Sequence, residues 1–400
     1  PQIALPVRAA LEYNNKAQLE PDLLRRIFSV PLATSISRLE TFASCPYQHF
    51  ASYILRLKKR RLVRLEPMDF GSFYHAVLDG LFKTIRNEGM DWQTVPVEQL
   101  DRIVCRVIEQ VVKDSRPLQG YQRHSAHQAF ILSAASDQIR RLIAPLQEMI
   151  RAGNFTPAQT EIHFGKDGGL PALELALPDG RKIRLRGVID RIDWADINGC
   201  GAALVFDYKT NPRSFSWVRW HNGLSLQMPS YLLVLRGCSL EQKNLDAVVG
   251  AFYIPIQNYP KSSTLSEFNK EGKFAYKAKG FLDGEYALEL DRAPNLRSRY
   301  YNFAVNREGS PYAYFNTSGS LHPEQFNQLL AHTQKILCSL AARILSGEIE
   351  ITPYRLNRIS PCSYCDYRAV CKFDWQINNY RLIKSLNKQA VFDLLEEEPL

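Results

Sequence analysis

Two short stretches, GVIDRID at 187–193 and VFDYKT at 205–210, set carboxylates and a lysine at the ends of two apolar runs. Side chains alternate along a strand, so Asp207 and Lys209 project from one face while Tyr208 points away. The turn residues between the runs predict a hairpin, which carries Asp190 towards Asp207. Asp193, at odd spacing from Asp190, should face away and reads as structural. Paired carboxylates beside a lysine suit phosphodiester hydrolysis. Their oxygens hold hard Mg²⁺ or Mn²⁺, which polarises the phosphate and lowers the pKa of water, and the lysine offsets charge building on the phosphate oxygens. A lone D-x-K is most often an ordinary ion pair at a strand end. This one is followed by SLQMPSYLL, which sets Gln227 and Tyr231 four residues apart on one helix face, and the combination is hard to reach by chance.

A second stretch, SPCSYCDYRAVC, puts Cys362, Cys365 and Cys371 within ten residues. Three thiolates grip a soft metal centre, but a tetrahedral sulfur site needs a fourth ligand. Of the other cysteines, Cys105, Cys238 and Cys338 lie in or beside apolar patterns and read as packing residues, and Cys200 sits in the turn DINGCGAA. Cys45 differs, because it opens CPYQHF directly after SISRLETFAS.

These groups need elements to hold them. SISRLETFASCPYQHFASYIL reads as helices around a Pro-marked break, and MDFGSFYHAVLDGLFKTIR as a helix with Phe73, Val77, Leu81 and Phe82 at helical spacing. Residues 97–151 are helical with a break near SRPLQG. The period then changes: AQTEIHFG, ALELALPDG, RKIRLRGVIDRIDWAD and AALVFDYKT are strand patterns between Gly, Pro and Asp turns. LSLQMPSYLLVLRG returns to a helix, which tolerates Pro229 if it begins near Leu226 or Gln227. LDAVVGAFYIPI is a buried strand, hairpins are expected around DGEYALELD and NREGSPYAYF, and HPEQFNQLLAHTQKILCSLAARILSG is a long helix. This order predicts an α/β core with helical additions.

Four hundred residues with 45% hydrophobic content can bury a sizeable core. No window approaches the roughly 18 consecutive apolar residues of a membrane span, and the start lacks a signal-peptide layout, so the expected compartment is the cytoplasm. The first residue is Pro1 rather than Met, and the chain reads as a segment of a longer polypeptide. Fifty Lys and Arg against 41 Asp and Glu give +9 and a pI near 9.1, with a basic run at 55–64. Nucleic acid is the leading partner class, against the plainer reading of a solvated basic surface. No GxxxxGK[ST] motif occurs, so ATP hydrolysis through a P-loop of this chain is excluded.

The set GVIDRID, DYKT and QMPSY resembles the PD-(D/E)XK nuclease superfamily in its RecB-like branch, which implies a central mixed sheet flanked by helices and metal-dependent DNA cleavage. PCSYCDYRAVCKFD, with SCPYQHFASYILRL far upstream, is similar to the iron–sulfur members, above all the C-terminal nuclease domains of AddB-type subunits of helicase–nucleases. The resemblance spans about 35–375; residues 1–33, a mixed pattern with several prolines, read as a lead-in from a preceding region, 34–376 as an iron–sulfur nuclease domain and 377–400 as a tail. It implies His75, Asp190 and Asp207 as ligands of Mg²⁺ or Mn²⁺, Lys209 as the catalytic lysine with Asp190 and Asp207 beside it, and Gln227 and Tyr231 in site support or DNA placement. Glu161 in TEIHFG falls at the periphery. Cys45 completes the cysteine set as ligand to a [4Fe-4S] cluster, with a structural zinc as the alternative. The implied partners are single-stranded DNA at the active site and a helicase subunit of the AddA type, with cutting of the strand ending 5′. Alternatives are a free-standing iron–sulfur nuclease of the Cas4 or exonuclease V kind, and a DNA-binding scaffold that does not cut.

Overall fold

Apolar strand patterns separated by Gly, Pro and Asp turns build one mixed sheet of eight strands. The computed structural model describes residues 17–58, 67–238, 240, 244–257, 274–376 and 378–397, together with Val7. In chain order the elements that matter are β1 (Leu32–Ser35), α1 (Ile36–Ser44), α2 (Pro67–Asn87), α3 (Val97–Asp114), α4 (Arg116–His124) and α5 (Ala126–Ala152). They continue with β2 (Thr156–Phe164), β3 (Leu173–Ala176), β4 (Lys182–Ile197), β5 (Cys200–Lys209), α6 (Gln227–Leu235), β6 (Ala247–Pro255), β7 (Lys279–Asp283) and β8 (Ser320–Leu321). Last come α7 (Pro323–Leu345), β9 (Tyr354–Leu356), β10 (Arg381–Ile383) and α8 (Lys388–Glu397).

The sheet runs β1-β4-β5-β6-β7-β8, with β2 and β3 also on β4. At 16 residues, β4 is long enough to change neighbours along its length. Its first half lies between β1 (Leu32↔Ile183, parallel) and β3 (Leu173↔Leu185, antiparallel), and its second between β2 (Ile162↔Ile189) and β5 (Arg191↔Phe206), both antiparallel. Asp190 falls just where β5 takes over. The β4–β5 hairpin expected from the sequence is present, while β5 and β6 run parallel, joined through α6.

Each sheet face carries its own core. Ala203 and Val205 of β5 pack with α1, α6, α7 and α8, whereas Leu204, Phe206 and Tyr208 pack beneath α2, α3 and α5. Strand alternation thereby decides which helical layer each side chain meets. The helices expected from the sequence form, over 36–44 and 46–54, 67–87, 97–152, 227–235 and 323–345; the third is broken at Ser115, near the expected SRPLQG, and again at Ser125, where the two serines cap α4 and α5 through their side chains.

Two expected hairpins are not there. After Asp283 the chain turns into a 3₁₀ turn and a one-turn helix, because the Asp283 side chain accepts the N–H of Glu285 and begins a cap instead of a strand turn. Around 306–315 the Asn306 side chain accepts the Ser310 N–H at 2.7 Å and closes a turn, and no strand forms within that stretch. The segment expected as a tail carries β10, which pairs with β9, and α8, whose Val391 and Phe392 are fully buried. Most of the basic run at 55–64 lies outside the described residues. Among the described residues, no helix is long and apolar enough to cross a membrane.

Candidate active site

The middle of β4, the end of β5, the inner part of β2 and the middle of α2 meet at one place. His75 on α2 sets its Nδ1 3.0 Å from Glu161 Oε1 on β2 and 3.5 Å from Asp190 Oδ1 on β4. One ligand atom from each of these residues lies within 4.8 Å of the others, a geometry that can hold a metal ion. Asp190 is fixed from its other side, since its Oδ2 accepts the backbone N–H of Tyr208 at 2.9 Å. Asp207 is fully buried; its Oδ2 forms an ion pair with Lys209, and its Oδ1 has no hydrogen-bond partner among the described residues.

A buried carboxylate oxygen left unpaired is costly. Its neighbours His75, Glu161 and Asp190 supply an imidazole and two more carboxylates, donor types suited to a hard divalent cation. Electrostatics point the same way. Burial pushes the Asp190 carboxyl upward and the Asp207 charge adds to it, against the pull of His75. Burial likewise raises Asp207 against the Lys209 charge. For His75, burial disfavours the cation, but the hydrogen bond to Glu161 and the charges of Asp190, Glu161 and Asp207 win and lift its pKa to about 9. The upward direction at all three groups marks a place crowded with negative charge, which a bound cation would relieve.

Lys209 is held rather than loose. Its Nζ donates to Gln227 Oε1 at 3.4 Å, Gln227 Nε2 donates to the Tyr231 hydroxyl at 2.7 Å, and the Tyr231 ring packs edge-on to Phe164. Pro229 costs α6 little, because it is the third residue of a helix that begins at Gln227, where backbone N–H groups have no intrahelical acceptor. Asp193 faces the other core and pairs with Arg191, which also donates to the Tyr208 hydroxyl at 3.0 Å. That buried pair lies beneath the site and takes no part in its surface.

The structure therefore gathers His75, Asp190, Asp207, Lys209, Gln227 and Tyr231 at one place, and moves Glu161 from the periphery into the centre. Glu161 was hard to read from sequence because its backbone lies at φ 48° inside a strand, which turns its side chain towards α2. Glu40 was missed altogether: its carboxylate accepts two backbone N–H groups at the start of α6.

Beyond the C-terminal end of α1, Cys45, Cys362, Cys365 and Cys371 line a single small cavity with Tyr47, Ile351 and Phe373. Burial pushes the Cys45 thiol up to about 12, with the facing Cys362 and Cys365 adding to the rise. Four thiols around one cavity, the first of them buried, make a donor set that fits a soft, sulfur-ligated metal centre.

A mixed sheet between helical layers, with carboxylates and a lysine on two adjacent strands, is the arrangement of a nuclease fold. Residues 33–372 match the model of the PD-(D/E)XK nuclease superfamily, and the chain belongs to that family. It is similar to proteins named as the B-type subunit of an ATP-dependent helicase/deoxyribonuclease: that of Desulfitobacterium hafniense is 30% identical over 433 residues and that of Moorella thermoacetica 33% over 387, covering 100% and 94% of this chain. The Clostridium acetobutylicum protein of the same name is 28% identical over 405 residues, covering 97%. The chain spans about a third of the length of these relatives, 33–35%.

Proposed function

We propose that the chain is the nuclease region of an AddB-type helicase–nuclease subunit, cutting single-stranded DNA with Mg²⁺ or Mn²⁺, on the strand ending 5′, during double-strand-break repair in the cytoplasm. An AddA-type helicase subunit feeds it the strand. The observation that carries this reading is the buried Asp207 carboxylate, with one oxygen unpaired, paired to Lys209 and near enough to act on the charges of His75 and Asp190.

His75, Asp190 and Asp207 hold the cation, with Glu161 as a further ligand or as the partner that orients His75. When bound, the cation supplies Lewis acidity towards a phosphate oxygen and acidifies water. Asp207 holds Lys209 in place through their ion pair, and the lysine, about a quarter exposed at 24%, presents its charge to the incoming phosphate. Gln227 and Tyr231 limit how far that charge can wander, which favours the reacting geometry. The four cysteines hold a [4Fe-4S] cluster. One cysteine followed much later by a single CxxC and a further cysteine, without a second CxxC pair, supports the cluster over a structural zinc.

Digestion of single-stranded DNA with Mg²⁺ against EDTA tests the reading, with Lys209→Ala as control. Cleavage should require the metal and fall about 10²–10³-fold in the variant. Equal cleavage by both proteins would remove Lys209 from the mechanism, and cleavage by neither would favour a scaffold that binds DNA without cutting.

A further inference from the structure

Glu40 stands on α1 within SISRLETFASC, a stretch that the catalytic set does not use. Its Oε1 accepts the backbone N–H of Leu226 at 2.6 Å and of Gln227 at 3.1 Å, from 186 and 187 residues away. These N–H groups open α6, whose N-cap, Leu226, has no side-chain acceptor. A Ser or Asn at position 226 would cap the helix locally. A carboxylate brought from α1 does more, because it ties the start of α6 to the helix that ends at Cys45. Gln227 is the hinge of that tie: its backbone rests on Glu40 while its side chain receives Lys209 Nζ and holds Tyr231. Arg213 and Lys209 add positive charge near Glu40, while burial pushes its carboxyl up.

We propose that Glu40 is a positioning residue for Lys209: it fixes the first turn of α6, and through Gln227 the lysine, against the helix leading into Cys45. The consequence for catalysis rests on the nuclease reading of Lys209; the positioning itself does not.

Two measurements separate these. The first is reductive methylation of Lys209 followed by mass spectrometry, without DNA or added divalent metal. Glu40→Ala should speed labelling by about threefold or more as the lysine is freed, and Glu40→Gln, which keeps the acceptor oxygen, should stay near the wild type. The second is single-strand cleavage. Glu40→Ala should lower kcat about tenfold with KM little changed, and should have almost no further effect in a Lys209→Ala background. Unchanged labelling in Glu40→Ala, a Gln variant that labels like Ala, or an equal loss with and without Lys209 would each overturn the proposal. A wild type that cleaves nothing would sink the nuclease reading, and the labelling result would still decide the role of Glu40. Should Glu40→Ala not fold, Glu40→Asp withdraws the oxygen by one methylene and must speed labelling in the same direction.

Discussion

At the scale of single residues, the site breaks local rules where chemistry requires it. Glu161 sits in a strand with φ 48°, beside the run of β4 that carries Asp190, so like charges face each other and one backbone is strained. The His75 imidazolium offsets both, and a divalent cation must displace its proton. With the His75 pKa lifted to about 9 and Asp190 also raised, Mn²⁺ binding at pH 7.5 should release about one proton or more and tighten as pH rises. Calorimetry in buffers of different ionisation enthalpy measures this; an affinity flat from pH 6.5 to 9 would contradict it. His49 gives a separate pH signature. Burial, with Arg38 nearby, holds its pKa down at about 4, against about 6.5 in an unfolded chain. The unfolded state therefore binds the extra proton between those values, and stability falls as pH drops from 6.5 towards 4, by at most about 3 kcal/mol. His49→Phe should flatten that part of the urea-midpoint profile relative to the wild type. Asp190, Asp207 and Lys209 were legible because strand alternation fixes them. Glu161 and Glu40 were not, since a left-handed φ and a contact 186 residues away leave no local pattern.

At the scale of elements, long periodic segments read true and short irregular ones did not. The start of α6 was legible because Pro229 leaves a helix few places to begin. Pro229→Ala should accordingly change stability by less than about 1 kcal/mol, while Leu233→Pro, in the interior of the same helix, should cost about 3 kcal/mol or more. The turns after β7 escaped because Asp283 and Asn306 close them with side chains, and a Gly-Asp-Asn pattern does not tell a capped turn from a hairpin. β6 and β7 are themselves joined closely: a Cβ on Gly280 would lie 1.9 Å from the Ala251 carbonyl oxygen, in the backbone of the partner strand. Gly280→Ala must push the strands apart, and a loss of about 3 kcal/mol in chemical denaturation is expected. A wild-type midpoint would mean that the pair has slack the register does not suggest.

At the scale of the whole molecule, the candidate site and the cysteine cavity are tied by α1, which carries Glu40 and is followed directly by Cys45. The partnership of Cys45 with Cys362, Cys365 and Cys371 was legible through family likeness and not through spacing, since nothing local links them. Arg381, just past the last cysteine, reinforces the closure by donating to the Ala43 carbonyl at 2.5 Å. A metal centre held by all four cysteines would cross-link a loop of roughly three hundred residues and restrict the unfolded chain by about 5–6 kcal/mol, an upper figure because the unfolded state keeps some structure. Removing one ligand should recover much of that cost. Cys365→Ala is expected to lose visible absorption and bound iron, melt several degrees lower and bind single-stranded DNA more weakly. With the opening of the clasp, α1 would also shift, so the variant should label Lys209 faster, as Glu40→Ala does. Metal analysis distinguishes the two sulfur-ligated centres, with about four irons per chain expected against one zinc. A Cys365→Ala protein that melts and binds DNA like the wild type would leave the two ends of the nuclease domain joined by packing alone.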